Sequence, residues 1–435
     1  MTQRIAFIHP SFHIPYIYES ASRNGVEFVV VLPPGEVIHH EYPCVIGYET
    51  LPLYTAPETA LHRLEALHAK WRFDGIMTIK ESCMVWTAEA AARLGLPGID
   101  PGAAKAARDK GTMRRLFRER GLVTPEFLVL SGADEIERCQ ALAFPYVVKP
   151  GSGYNSDAVQ RVSSWDELVA AVRVVEEVNA DTYREVSWHE GQNFSSIVVE
   201  EFVEGPEYVV ELFALDGDVR ALNCGYKGQP PGPCFEETVY LSPPALAREK
   251  IREIQAVAVE GMLALGLRNG PGHCELRLDR QGRPVILEIG ARIGGSGCAH
   301  FNVEASTDVD FSNLWFRYLT GAPPGDYWPP RPTDTGKAAS SWILPLGGSG
   351  VLRSIDGVEA VRAHPDCERV LLLATIGKTY RPYPHFDGFL AIVFGRHRST
   401  QAGEAFFTFL ESALKVNWGA APRPQSRPLA REQTP

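Results

Sequence analysis

Gly272-His273-Cys274-Glu275-Leu276-Arg277-Leu278-Asp279-Arg280-Gln281-Gly282-Arg283-Pro284-Val285-Ile286-Leu287-Glu288-Ile289-Gly290-Ala291-Arg292 runs as two alternating apolar and polar segments around a polar, glycine-containing turn. That pattern predicts a β-hairpin. A symmetric turn at 280–283 sets Leu278 opposite Val285 and Glu275 opposite Glu288. Side chains alternate faces along a strand, so Cys274, Leu276 and Leu278 share one face. His273, Glu275 and Arg277 share the other, with Glu288 and Arg292 on the partner strand. Directly opposed residues have Cβ atoms about 5 Å apart, so two carboxylates there repel. A divalent cation reverses that sign, and magnesium commonly takes one or two carboxylates together with substrate phosphates. The plain alternative is a solvated face with two unrelated glutamates. Gly290, Gly294 and Gly295 argue against it, because they allow close approach of a ligand to the backbone.

Upstream, strands over 4–9 and 27–32 flank a helix over 19–24 that stops at Gly25, the opening of a βαβ layer. Helices over 59–71 and 87–94 and a strand over 76–79 complete a small α/β domain, 1–102. A single helix over 103–120 opens the next unit. Strands follow over 127–130 and 146–149, then a helix over 165–178, within 103–200. Strands over 197–202, 207–215 and 219–224, a helix over 247–265, the hairpin and a helix over 311–319 make up 201–330. The stretch 323–332 holds five prolines and reads as a linker. Strands over 338–346, 369–374 and 390–395 and a helix over 403–414 form an α+β lobe, 331–418. Residues 419–435 read as a disordered tail. The fold class expected is therefore mixed, α/β and α+β.

The bulk numbers are those of a soluble globular protein. The chain has 435 residues, 45% of them apolar and 22% charged, and a formal net charge of -10. At roughly 150 residues per domain, about three domains are expected. The acidic balance argues against a general nucleic-acid or membrane-surface binder. The 8 cysteines form no CxxC pair and no zinc spacing, and read as free thiols of a reducing compartment. No signal-peptide h-region and no run of 18 apolar residues is evident, so a cytoplasmic protein is expected. No GxGxxG follows the first strand, where Phe7-Ile8-His9-Pro10-Ser11 stands, the glycine clusters Gly270-Pro271-Gly272 and Gly294-Gly295-Ser296-Gly297 hold no GK[ST], and no GxSxG occurs.

Four more segments line up with the hairpin: Arg108-Asp109-Lys110, Phe144-Pro145-Tyr146-Val147-Val148-Lys149-Pro150, Gly151-Ser152-Gly153-Tyr154-Asn155-Ser156-Asp157-Ala158-Val159, and Glu200-Glu201-Phe202-Val203-Glu204-Gly205-Pro206-Glu207. Together they resemble the ATP-grasp superfamily over about residues 1–415. Within it the chain looks most like the L-amino-acid ligases. His273-Cys274-Glu275-Leu276-Arg277, Glu288-Ile289-Gly290-Ala291-Arg292-Ile293-Gly294-Gly295 and the Pro/Gly loop ending in Phe235-Glu236-Glu237 carry that narrower likeness.

The resemblance implies an ATP-grasp fold with a small N-terminal pre-ATP-grasp domain and a C-terminal lobe. It implies ATP and Mg2+, with Mn2+ as a substitute, held by Glu275 and Glu288. Lys110 and Lys149 correspond to phosphate- and adenine-side lysines, and the loop with Ser156 to a lid whose backbone cradles phosphates. Ala158 stands where a glycine is usual. Glu200, Glu201, Phe202 and Val203 match the adenine-reading hinge, and Glu207 the ribose ligand. Arg292 matches an arginine on the transferred phosphoryl group, and its alternative is an ion pair with a glutamate. His273 would line the acyl-phosphate site or serve structurally. Gly290 replaces an asparagine common two residues after the second metal glutamate. Tyr226, Lys227 and Glu237 are candidates for the amino-acid pocket. The implied reaction couples a small-molecule carboxylate to an amine, with a homodimer the usual arrangement. An ATP-grasp carboxylase, a purine-pathway-type ligase and a non-catalytic ATP-binding module stay open as alternatives.

Overall fold

The computed structural model describes residues 3–38, 40–180, 196–230, 232–328 and 335–419. The chain opens on a parallel four-stranded sheet in the order Val45–Thr50, Val26–Leu32, Gln3–Ile8, Gly75–Met77. Sequence reading missed Val45–Thr50, an edge strand whose residues are all half-buried or exposed. Helices Pro15–Arg23, Pro57–Trp71 and Met84–Arg93 accompany the sheet. Proline starts the first two, where the missing N–H costs no hydrogen bond.

The single helix expected over 103–120 is two, Pro101–Arg108 and Lys110–Glu119. Asp109 breaks it with an extended backbone, and its carboxylate accepts from the Thr112 N–H at 2.6 Å. A short acidic side chain satisfies a helix start better than a helix interior. The first of these helices also spans the 102/103 boundary.

A second, antiparallel sheet runs Phe127–Leu130, Ile197–Glu201, Tyr146–Pro150, Gln160–Val162, backed by helix Trp165–Val178. The largest sheet holds nine strands. It begins at the hairpin, Pro284–Gly290 and Gly270–Leu278, and continues through Glu207–Leu215, Gly225–Gly228 and Val239–Ser242. It then runs without interruption into Ala338–Ile343, Ala391–His397 and Cys367–Leu372. The C-terminal lobe is thus joined edge to edge with the hairpin sheet. The joint is Val239–Ser242, a four-residue strand beside the Pro/Gly loop that sequence reading did not detect. A three-stranded sheet, Thr379–Tyr380, Gly350–Asp356 and Lys415–Gly419, completes that lobe. Gly419, expected in the tail, pairs with Val351; residues 420–435 lie outside the described residues. In the expected linker Pro324–Asp326 forms one 3-10 turn, and 329–332 lie outside the described residues.

One apolar core crosses the units. Phe7 and Phe28 of the first sheet pack with Phe316, Phe213 and Ile289, and the Phe28 and Phe316 rings stand 5.6 Å apart. The small antiparallel sheet has a core of its own around Leu168, Val172 and Val199. All eight cysteines are free, and six are buried. Among the described residues no helix is long and apolar enough to cross a membrane.

Candidate functional site

Glu275 and Glu288 are paired across the hairpin as the sequence predicts, and both line a large pocket. The turn end differs from the symmetric expectation. A bulge after Glu275 leaves Leu287 unpaired, so Leu276 meets Ile286 and Leu278 meets Pro284 rather than Val285. An extra residue locally bends and twists a strand. Here it brings consecutive Leu287 and Glu288 to the pocket wall, and the Leu287 carbonyl accepts from Arg114 at 2.7 Å.

Cations surround the two carboxylates. Glu275 is ion-paired with Lys227 and accepts from His273 Nε2 at 3.2 Å. Burial opposes its charge, but Lys227 and His273 outweigh burial and hold it well below the usual carboxylate range. Glu288 is met by Lys110 Nζ at 3.1 Å, which also donates to the Gly153 carbonyl at 2.7 Å. Lys227 further approaches Glu207 at 3.5 Å and Glu237 at 3.8 Å. Lys227 and Glu237 therefore line the pocket, whereas Tyr226 packs on Tyr208 outside it.

The remaining predicted residues converge on the same pocket, with changes in detail. Lys149 and Glu200 are buried and ion-paired. Burial pushes the Lys149 ammonium down to about 8 against the pull of Glu200. Both Glu200 oxygens are engaged by Arg114, at 2.9 and 3.1 Å. The Glu200 side chain is thus taken up by Lys149 and Arg114, and Glu200 lines the pocket beside them. Its two cations overcome burial and hold its carboxyl at about 2. The Phe202 N–H donates to Pro145 and the Val203 carbonyl accepts from Arg277 at 3.0 Å. The Val203 N–H has no acceptor among the described residues. Glu207 accepts from Arg277 Nε at 3.1 Å, and Glu201 also lines the pocket.

The loop over 151–159 arches over these groups and is anchored on the far side by the C-terminal lobe. The Ala158 N–H donates to Pro384 at 2.9 Å, and Asp157 accepts from the Phe386 N–H at 3.3 Å. Asn155, Ser156 and Ala158 all have left-handed backbones, with φ near 56°, 53° and 58°. That explains why a glycine suits position 158 elsewhere.

Arg292 lines the pocket but is ion-paired with Glu81. His273 Nδ1 lies 2.8 Å from Glu211, which is fully buried. Burial disfavours the imidazolium, yet Glu211 and Glu275 raise its pKa to about 9. Glu81, Arg114 and Glu211 hold pocket residues by buried ion pairs and hydrogen bonds that sequence reasoning missed. No local motif marks them, since each acts on a residue tens to hundreds of positions away. Gly294 makes room for the histidine. A Cβ there would come within 2.5 Å of His273 Nδ1 and 2.8 Å of Glu211 Oε1. Gly294→Ala should therefore displace the imidazole and cut turnover by ~10-fold or more while the chain still folds, as steady-state kinetics with circular dichroism would report.

The donor set suits a hard cation. Two opposed carboxylates with space beside Gly290 can bind an ion whose other ligands are phosphate and water oxygens. A Cβ at Gly290 would meet nothing nearer than Glu81 at 3.6 Å. Among the described residues no group of three His, Cys, Asp or Glu side chains forms an all-protein cage.

Comparisons with known proteins agree with this geometry. Residues 142–300 match the ATP-grasp domain, 18–98 the ATP-grasp N-terminal domain, and 342–417 the L-amino acid ligase C-terminal domain 2. The crystal structure of an L-amino acid ligase from Bacillus licheniformis superposes with a TM-score of 0.88 at 35% identity, over 96% of this chain and 99% of that one. The chain belongs to the L-amino acid ligases of the ATP-grasp superfamily. A D-alanine--D-alanine ligase of Cupriavidus metallidurans is 26% identical over 61% of this chain and 78% of its own. Carnosine synthase 1 of Gallus gallus is 31% identical over 64% of this chain and 31% of its own. A phosphoribosylglycinamide synthetase from Anaerococcus prevotii, at 16% identity and a TM-score of 0.67, shares the fold. This ligase is accordingly an ADP-forming, ATP-dependent carboxylate–amine ligase.

Proposed function

We propose that this ligase joins two amino acids, activating the carboxylate of one as an acyl phosphate and coupling it to the amine of the other. The observation that carries the reading is the opposed pair Glu275 and Glu288, facing one pocket with Lys110, Lys149, Lys227 and Arg292. Phosphoryl transfer is mostly positioning and charge neutralisation, which is what such a ring of cations supplies. Mg2+, or Mn2+ in its place, would be held by Glu275 and Glu288 and would neutralise triphosphate charge.

Lys149 and the main chain of 201–203 hold the nucleotide, with Glu207 on the ribose. Lys110 and the backbone of the loop around Ser156 hold the phosphates. A substrate carboxylate oxygen attacks the γ-phosphorus, the bond to the β-phosphate oxygen breaks, and ADP leaves. Arg292 faces the charge on the transferred group. The neutral amine then attacks the carbonyl carbon, the C–O bond to phosphate breaks, and phosphate leaves with the former carboxylate oxygen and the proton that the amine nitrogen gives up. His273, held by Glu211, lines the acyl-phosphate side. The closed loop keeps water from the intermediate. A homodimer and a cytoplasmic setting go with this reading.

The test is an ADP-release assay against a matrix of free amino acids, with mass spectrometry of the products. At least one pair should give ADP, phosphate and an amide. Nucleotide binding without product for any acceptor, or turnover only with bicarbonate or a purine precursor, would overturn the reading.

A further inference from the structure

Glu81 lies just beyond strand Gly75–Met77, in the short 3-10 turn Glu81–Cys83 of the N-terminal domain. Its carboxylate is buried and meets an arginine at each oxygen. Arg292 donates through Nε to Oε2, and Arg108 through Nη1 to Oε1 at 3.3 Å. Arg292 Nη1 also donates to the Ile293 carbonyl at 3.1 Å. A guanidinium carries five N–H donors, so about three remain for a ligand. Arg292 itself lines the pocket, with Glu288 and Glu275 among its electrostatic neighbours.

Arg108 extends the connection to the phosphate loop. Its Nη2 donates to the Ser152 carbonyl at 2.6 Å, and its guanidinium lies 5.9 Å from the centre of the Tyr154 ring. Arg108 is itself only 2% exposed. A buried charge without a partner is costly, so Glu81 is what keeps both arginines in place. One carboxylate thereby ties the phosphate-facing arginine to the loop that covers it.

We propose that Glu81 is a positioning residue that aims the Arg292 fork at the transferred phosphoryl group and, through Arg108, couples it to closure of the 151–159 loop. The inference rests on the ligase reading above. When the tie is cut, the fork swings and the loop loosens while the acyl phosphate stands. Water then attacks the carbonyl carbon and the C–O bond to phosphate breaks. The products are the free carboxylate, phosphate and a proton. ADP is formed with no amide to match it.

The experiment compares full-length wild type, Glu81→Gln, Glu81→Asp and Arg108→Met on an amino-acid pair that the wild type joins. ADP and amide are quantified together, with the KM for ATP and circular dichroism. For Glu81→Gln, kcat should fall ~10-fold or more, as misplacement of a positioned group does, with the KM for ATP little changed. Its ratio of ADP to amide should rise clearly above one. Glu81→Asp should recover part of both. Arg108→Met should raise the ratio with a smaller loss of kcat, because Arg292 keeps its partner. Wild-type kcat with a one-to-one ratio in Glu81→Gln overturns the proposal. So does a slower enzyme whose ratio stays at one in every variant, which is the mark of a merely structural role. If Glu81→Gln does not fold, the ratio in Arg108→Met decides. If the wild type itself makes ADP and amide from no pair, the ligase reading fails and this inference falls with it.

Discussion

Glu288→Ala should lower kcat for amide formation by ~10³-fold or more, about 4 kcal/mol of transition-state stabilisation. The fold should survive, because Glu288 is one of two opposed carboxylates whose mutual repulsion the substitution relieves. Its partner Lys110 is not orphaned, since the Gly153 carbonyl still accepts from it at 2.7 Å. What disappears is half of the anionic pair that faces the triphosphate. Glu288→Gln separates charge from shape: it keeps the length of the side chain and should be nearly as inactive. Steady-state ADP release and amide yield, with circular dichroism as the control, measure both. Wild-type turnover in either variant would remove the hairpin from the chemistry.

The second large effect is on stability. Arg114 is fully buried, donates twice to Glu200 and once to Leu287, and so pins helix Lys110–Glu119 to both the small sheet and the hairpin. Arg114→Met leaves Glu200 with Lys149 alone in a buried site. Breaking a buried pair from one side costs about 3–5 kcal/mol, so the urea midpoint of the first unfolding transition should fall markedly. Glu200→Gln alone should cost at least as much, because Arg114 and Lys149 both then lose their carboxylate. A single variant as stable as wild type would contradict this account of how Lys149 is held.

These two effects also divide what the sequence reveals from what it hides. The opposition of Glu275 and Glu288 is legible because a turn over 280–283 between two strand-like runs sets these two residues opposite each other, although the pairs nearer the turn are shifted by one residue. The bulge that exposes Leu287 is not legible: one extra residue between turn and carboxylate leaves no compositional mark. Helix Trp165–Val178 shows its bounds through the Ser164 cap and a one-sided apolar face. Helix Cys298–Thr307 escaped because it is buried on nearly every side and so carries no amphipathic period. The roles of Glu81, Glu211 and Arg114 depend on chain segments that meet only after folding. The union of the C-terminal lobe with the hairpin sheet depends on Val239–Ser242, too short to stand out beside a proline- and glycine-rich loop. Motifs with local spacing were thus visible, and the ion pairs that aim them were not.

The central claim is that a substrate carboxylate receives the γ-phosphoryl group in the pocket of Glu275 and Glu288. The most direct measurement uses an accepted amino acid labelled with heavy oxygen in its carboxylate and follows the label by mass spectrometry after turnover. The account predicts one heavy oxygen in the released inorganic phosphate, none in ADP, and no AMP. Label appearing in AMP, or an amide formed with unlabelled phosphate, would contradict it.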